Sequence, residues 1–349
     1  MNPTNITMQS SITVQSSARL HMGFFDLHGG LGRKFGSIGL SLDAPKLLIK
    51  AKVADTLNVL GGVTVPATVI SKAITIAQQL LPALHLNHSL ELNVVQHIPE
   101  HAGLGSGTQL ALAIGAAVSQ LYGLNLTTAK IAELTGRGGR SGIGIGAFDY
   151  GGVLIDGGRA SSADHVVTTT PPLLARYDFP EDWRILLIFD TSQPGIHGEQ
   201  EKIAFTQLPV FSESLAAHLC RHVLMQAMPA LIEHDLAAFG HSIQALQTHV
   251  GDYFSPAQGG RYASKLVGEV LQYLEAVGAP CFGQSSWGPT GFAIFENTIE
   301  AEKQMQQLKA RFSDQALNWI ICSACNHGAK LIDSQAGSLG SIKPFTKTR

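Results

Sequence analysis

The segment HIPEHAGLGSGTQLALAIGAAVSQLY, from His97 to Tyr122, constrains this chain more than any other: a glycine-rich loop runs directly into an apolar helix. Leu90, Leu92 and Val94 alternate with polar residues just before it, the period-two signature of a half-buried strand. Leu110, Ala111, Ile114, Ala117, Val118 and Leu121 then recur at helical spacing. Gly103, Gly105 and Gly107 let a ligand approach the backbone closely, and Ser106 and Thr108 are the expected helix caps. The first amides of such a helix lack internal partners and its dipole concentrates positive charge there, a geometry that favours phosphate. A tight turn without a ligand is the alternative. The loop is neither a Walker sequence nor a dinucleotide fingerprint, since no GK[ST] follows and GLGSG does not fit GxGxxG.

A chain of 349 residues, 45% hydrophobic and 14% charged, has ample material for a core and is long enough for one large domain or, the favoured expectation, two with a shared cleft. A net charge of −2 gives no polyanion-binding field, so anion recognition must come from local amides and a few arginines. The opening MNPTNITMQSS lacks a basic flank and a long apolar core, and no apolar run reaches a membrane span. The expectation is a cytoplasmic protein without nucleic-acid or membrane partners. Cys322 and Cys325 form a CxxC, but Cys220 and Cys281 are isolated and His327 is a weak supplement; these read as small thiols, not a zinc site.

Along the chain, an N-terminal strand precedes a loop-rich stretch from Ser17 to Asp43. Val69 to Leu81 carries a helical period, and Thr127 or Thr128 caps a short helix ending near Thr135. The stretch from Gly136 to Gly158 is too glycine-rich for helix and ends in a strand around Gly152 to Ile155. Val167 to Trp183 reads as a domain connection. Beyond it come a buried strand from Arg184 to Phe189 and helices near Leu215–Leu231, His234–Thr248 and Arg261–Val277. A glycine-rich turn from Gly283 to Gly291, the strand FAIF, a helix over Thr298–Phe312 and a strand over Asn318–Ile321 complete an α+β pattern.

Three segments concentrate reactive groups. Ala18 to Gly39 holds Arg19, His21, Asp26, His28, Arg33 and Lys34; arginine forks match carboxylate or phosphate oxygens, and His21 can exchange a proton near neutrality. Arg137, Arg140 and Ser141 precede Gly142, Gly144 and Gly146 and read as a second anion site, while Asp149 and Asp156 are metal-bridging acids or turn formers. Gln284, Ser285, Ser286 and Trp287 offer polar donors beside an aromatic face.

Pro99, Gly103, Leu104, Gly105 and Ser106 resemble the Pro-x-x-x-Gly-Leu-Gly-Ser-Ser phosphate loop of the GHMP kinase superfamily, with Gly107 in place of the second serine. SARLHMGFFDLHGGLGRKFGSIG, GRGGRSGIGIGAFDYGGVLIDGG and GQSSWGPTG together resemble the β-ribofuranosylaminobenzene 5′-phosphate synthases of that fold group, from Ser17 to Lys330. The resemblance implies a GHMP-kinase-like two-domain α+β fold, with an N-terminal domain over 1–170 carrying the loop at 99–109 and a C-terminal domain over 171–349. It also implies that 4-aminobenzoate or 4-hydroxybenzoate condenses with phosphoribosyl pyrophosphate as carbon dioxide and pyrophosphate leave, with a magnesium requirement and a homodimer.

On that resemblance the amides from Gly103 through Leu104, Gly105, Ser106 and Gly107 to Thr108 hold pyrophosphate. Arg19 and Arg137 take carboxylate or phosphate oxygens, with Arg140 and Ser141 beside them. His21 is a proton or hydrogen-bond partner, Asp26 is the magnesium-associated acid, and Ser285 with Trp287 lines an aromatic pocket. The kinases carry Ser-Gly-Ile-Asp, whose aspartate assists deprotonation of the acceptor; here the stretch is Ser141, Gly142, Ile143, Gly144. With Gly107 also replacing a serine, two parts of a phosphoryl-transfer site are missing. An ATP-dependent small-molecule kinase and a non-catalytic binding protein are the rival expectations.

Overall fold

Two long antiparallel strands frame the first half of the computed structural model: β1 (Ile12–Asp26) and β3 (Gly36–Ala54), with the two-residue β2 (Arg33–Lys34) between them. The structure describes residues 11–139, 141–160, 170–192 and 208–333. The stretch from Ser17 to Asp43 is therefore mostly strand, not loop. Its polar and glycine residues sit at three register shifts between β1 and β3, where bulges re-aim side chains. Most of β1 from Ser16 to Phe25 is buried on both faces, so the alternation that betrays a half-exposed strand is absent.

The sheet continues through β5 (Ser89–Gln96), whose expected alternation is present, and β4 (Asn58–Gly61), its parallel neighbour. The first part of β3 also pairs with β6 (Val153–Asp156), which pairs in turn with β8 (Leu173–Tyr177). Thus the segment read as a connection contributes a strand to the first sheet. The chain returns to this sheet once more at β13 (Lys330–Asp333), antiparallel to β1. Asp43 and Ser323 exchange two hydrogen bonds, of 2.8 and 2.9 Å, and Arg176 donates to the Asn326 carbonyl, so the returning segment is tied down.

Helices α1 (Ala67–Ala83), α2 (Ser106–Leu121) and α3 (Thr128–Leu134) stand where their periods predict, with Thr127 capping α3 through the Lys130 amide. A fourth, α4 (Ile143–Asp149), overturns the reading of that stretch as non-helical. Its glycines cost roughly 1 kcal/mol each relative to alanine in a helix. Close packing accounts for Gly144, where a Cβ would lie 3.0 Å from Thr108 Cγ2, and for Gly39 of β3 facing the helix, where one would lie 2.3 Å from Ile143 Cγ2. Gln109 Nε2 further donates to the Gly144 carbonyl at 2.7 Å, locking α4 to α2.

Burial pushes the Asp149 carboxyl at the end of α4 up to about 6, against a hydrogen bond from Thr128 that acts the other way. Because the folded value exceeds the unfolded one, the stability linked to Asp149 is present below about pH 4 and is lost as pH rises through about 6. Replacing Asp149 by Asn should raise neutral-pH stability by about 2–3 kcal/mol and flatten that slope, read by denaturant melts across the range.

The second sheet, in the order β10 (Cys281–Gln284), β11 (Thr290–Phe295), β9 (Arg184–Asp190) and β12 (Leu317–Cys322), is antiparallel throughout. The expected helix near Leu215–Leu231 is Glu213–His222 and Met228–Glu233 with a π-helical turn over Val223–Ala227 between them. Helix Leu236–Gln258 lies across the junction. Gln247 on it donates to the carbonyls of Met22 (2.6 Å) and Gln284 (3.1 Å) and accepts from the Gln284 amide (2.8 Å), joining both sheets through one buried side chain. Among the described residues no helix is long and apolar enough to cross a membrane. Cys281, Cys322 and Cys325 are buried free thiols and Cys220 is half-buried.

Candidate functional site

The glycine loop is held from two sides. From β1, the Arg19 amide donates to the Leu104 carbonyl at 3.1 Å and its guanidinium to the Gly103 carbonyl. From the turn after β10, Ser285 Oγ donates to the same Gly103 carbonyl at 2.8 Å and accepts from the His21 amide at 3.1 Å. Ser286 N donates to the His21 carbonyl at 3.0 Å. Arg19, His21, Ser285 and the loop thus form one connected unit, although they come from three distant segments.

Gly103 and Gly105 adopt φ of 75° and 81°, the left-handed region, and Gly105 is the residue that caps α2. Neither Ser106 nor Thr108 caps it, since the left-handed glycine turns the chain into the helix without a side-chain bond. The Thr108 amide donates to the Gly105 carbonyl at 3.1 Å, so of the first turn the Ser106 and Gly107 amides are the ones left for an anion.

Arg137 lies over this helix end, with Nη1 3.2 Å from where a Cβ on Gly107 would stand. Its Nε is buried without a hydrogen-bond partner, and the guanidinium has no ion pair among the described residues. Burial pulls its pKa below the ordinary arginine value. A half-buried cation placed on the positive end of a helix is unfavourable unless an anion joins them. Arg140, the expected companion, lies outside the described residues.

Ser141 does not face that anion site. Its hydroxyl donates to Asp156 Oδ2 at 2.9 Å and lies 2.9 Å from Ser37 Oγ. The Asp156 carboxylate also accepts from Ser37 Oγ (2.7 Å), Gly142 N (2.9 Å) and Gly158 N (2.8 Å). Burial raises its pKa and these donors oppose the shift. Asp156 is thus the anchor of the second glycine segment, with its oxygens occupied.

Asp26 is not brought to the loop. It ends β1, about 20 Å from Arg19 at roughly 3.3 Å per strand residue, and Oδ1 accepts from the amides of His28 (2.9 Å) and Gly29 (3.1 Å). Among the described residues no cluster of three metal-ligating side chains exists. Among the described residues, the side chains beside the loop thus form no all-protein magnesium cage.

A narrow cleft of about 30 Å³ opens beside the turn that braces the loop. Its walls include His21, Phe24, Phe254 and Trp287, with the Phe254 and Trp287 rings 4.6 Å apart and His21 4.6 Å from Phe24. Trp287 is on the wall of this cleft, whereas Ser285 is spent on bracing the loop. The sequence reading missed Phe24, Gln247 and Phe254, while Gln284 was among the polar donors it named. A signal was present for two of them: Gln247, Val250, Phe254 and Gln258 recur on one face of their helix, a stripe that mixes amides into an apolar face.

The GHMP kinases N terminal domain family matches residues 69–152 and the GHMP kinases C terminal family matches residues 227–314. A homoserine kinase from Cytophaga hutchinsonii superposes with a TM-score of 0.65 at 20% identity, covering 95% of this chain and 100% of its own. Beta-ribofuranosylphenol 5'-phosphate synthase of Archaeoglobus fulgidus is 35% identical over 92% of this chain and 99% of its own length. The Methanocaldococcus jannaschii protein of the same name is 34% identical over 83% of this chain and 91% of its own. The GHMP kinase fold, with its phosphate loop braced by Arg19 and Ser285, is accordingly that of the beta-ribofuranosylphenol 5'-phosphate synthase family, to which this chain belongs.

Proposed function

We propose that this protein transfers the 5-phosphoribosyl group of phosphoribosyl pyrophosphate to 4-hydroxybenzoate, with 4-aminobenzoate as the alternative acceptor, releasing carbon dioxide and pyrophosphate. The observation that carries this reading is Arg137, a half-buried cation without a counter-ion among the described residues, over the first turn of α2. The phenol in the relatives' name favours the hydroxy acid.

The diphosphate rests against Arg137 and the loop amides, which stabilise the charge that develops as the bond from ribose C1 to oxygen breaks. The ring carbon that bears the carboxylate, made electron-rich by the para hydroxyl, bonds to C1. The bond from that ring carbon to the carboxylate then breaks, and its electron pair restores the aromatic ring as carbon dioxide departs. The aromatic walls of the cleft hold the acceptor against the loop, with His21 at the junction of the two. Magnesium would come bound to the diphosphate, with phosphate and water oxygens as its ligands.

The two departures from the kinase pattern support this chemistry. A side chain at 107 would crowd the Arg137 guanidinium, and an aspartate at 144 would press on Thr108 at a Cβ distance of 3.0 Å. Arg137 and Thr108 crowd the two positions where a phosphoryl-transfer site carries a serine and a base. Carboxyl-labelled 4-hydroxybenzoate with phosphoribosyl pyrophosphate should release labelled carbon dioxide and one pyrophosphate per riboside. Consumption of ATP to ADP with an alcohol acceptor, and inertness toward the sugar donor, would overturn the proposal. Trp287→Ala should raise KM for the aromatic acid about tenfold with a smaller change in KM for the sugar donor, measured by initial rates.

A further inference from the structure

The hairpin between β1 and β3 carries a feature that the diphosphate site leaves unused. Strand β2 pairs antiparallel with β7 (Arg159–Ala160), Lys34 facing Arg159, to make a two-stranded ribbon. Lys34 Nζ and Arg159 Cζ lie 5.6 and 5.1 Å from the centroid of the Phe35 ring, so one aromatic platform gathers both cations. Arg33 braces the ribbon, donating from Nε and Nη2 to the carbonyls of Gly157 (2.8 Å) and Gly158 (2.6 Å). None of these three cations forms an ion pair with a described residue. The acid on the same hairpin, Asp26, has Oδ1 turned into the amides of residues 28 and 29.

The platform is held under strain. Phe35 is buried at φ 75°, a conformation that costs a side-chain-bearing residue free energy and persists only where its surroundings enforce it. They do so at close range: a Cβ on Gly158 would lie 2.1 Å from the Lys34 carbonyl oxygen, and one on Gly36 would lie 2.4 Å from the Phe25 ring.

The ribbon joins the reaction site on both sides. Phe35 stacks edgewise on Phe24 at 5.7 Å, and Phe24 on His21 at 4.6 Å, which leads along the wall of the cleft. Gly158, next to Arg159, donates to the Asp156 carboxylate that anchors Ser141 and Gly142, and so the segment carrying Arg137. The Lys34–Arg159 pair is thus coupled through Phe35 and Phe24 to the wall of the cleft, and through Asp156 to the segment that follows Arg137.

Resting on the reading above, we propose that Lys34 and Arg159 bind the phosphate monoester at the end of the sugar donor remote from its diphosphate. A monoester carries nearly two negative charges near neutrality and accepts several charge-assisted hydrogen bonds, which suits one ammonium and one guanidinium fork. The ribbon then selects for a 5-phosphorylated sugar, while Arg137 and the loop hold the leaving group.

The full-length double variant Lys34→Ala with Arg159→Ala tests this, with ribose 5-phosphate and inorganic pyrophosphate as separate calorimetric probes beside steady-state kinetics. At about tenfold per charged contact, ribose 5-phosphate affinity and KM for phosphoribosyl pyrophosphate should worsen by about 30- to 100-fold. Pyrophosphate affinity should stay within about twofold, and Arg159→Lys alone should keep much of the affinity. An unchanged KM for the sugar donor in a variant that still binds pyrophosphate sinks the ribbon's role and leaves the reaction standing. A wild-type protein that neither binds pyrophosphate nor turns over the donor overturns the reaction itself, and the ribbon's role with it.

Discussion

Arg137→Ala should lower kcat/KM for the sugar donor by about 100-fold or more while leaving the ligand-free protein at least as stable as wild type. The two effects have one origin. The guanidinium is half-buried on the positive end of α2 with no partner for Nε among the described residues, so in the empty protein it suffers desolvation and repulsion without return. Once a diphosphate arrives, the same group makes charge-assisted bonds in a site of lowered dielectric, where they are strongest. Thermal melts with and without pyrophosphate separate the two states: wild type should gain stability from pyrophosphate and the variant little. A variant that melts well below wild type in the absence of ligand would mean that Arg137 is a structural residue, and the case for the anion site would fail with it.

The second large effect is expected at Gly103. At φ 75° an alanine there is strained by about 1–2 kcal/mol before any contact is counted. Its Cβ would also lie 2.2 Å from the Ser285 carbonyl oxygen and 3.0 Å from Gly288 Cα, both backbone atoms that cannot rotate away. Gly103→Ala should therefore cost about 3 kcal/mol or more and push the loop off the turn that braces it, abolishing turnover. Gly139→Ala is the control for chemical denaturation, because no atom lies within 4 Å of its added carbon. Equal melting of the two variants would show that the loop and the turn are not coupled as the geometry requires.

The helices and the loop were legible because their signals are local. Leu110 to Leu121 announce one buried helix face, and the glycines before them announce the turn that exposes its amides. Strands β1 and the early part of β3 were not legible, since burial on both faces erases alternation and bulges place glycine inside the strand. Helix α4 was hidden for a related reason. Its glycines read as breakers in isolation, yet they are the close contacts that let it sit against α2.

The site divides in the same way. Arg19, His21, Ser285 and the loop were named from composition and motif, and the fold brings them together through direct hydrogen bonds. Asp26 and Ser141 were named on equal grounds and are held elsewhere, the first by the turn it closes and the second by Asp156.

By itself the sequence determined that a glycine loop opens a buried helix here, and that two side chains expected of a phosphoryl-transfer site are absent. Local spacing is enough for both, because amide orientation and residue identity are properties of a few consecutive positions. Only the tertiary structure decided what fills those absences, Arg137 against Gly107 and Thr108 against Gly144, and that the rings of β1 and of a distant helix share one wall of the cleft. Such contacts depend on strand register and on how two sheets are joined through residues such as Gln247, and no local pattern encodes them.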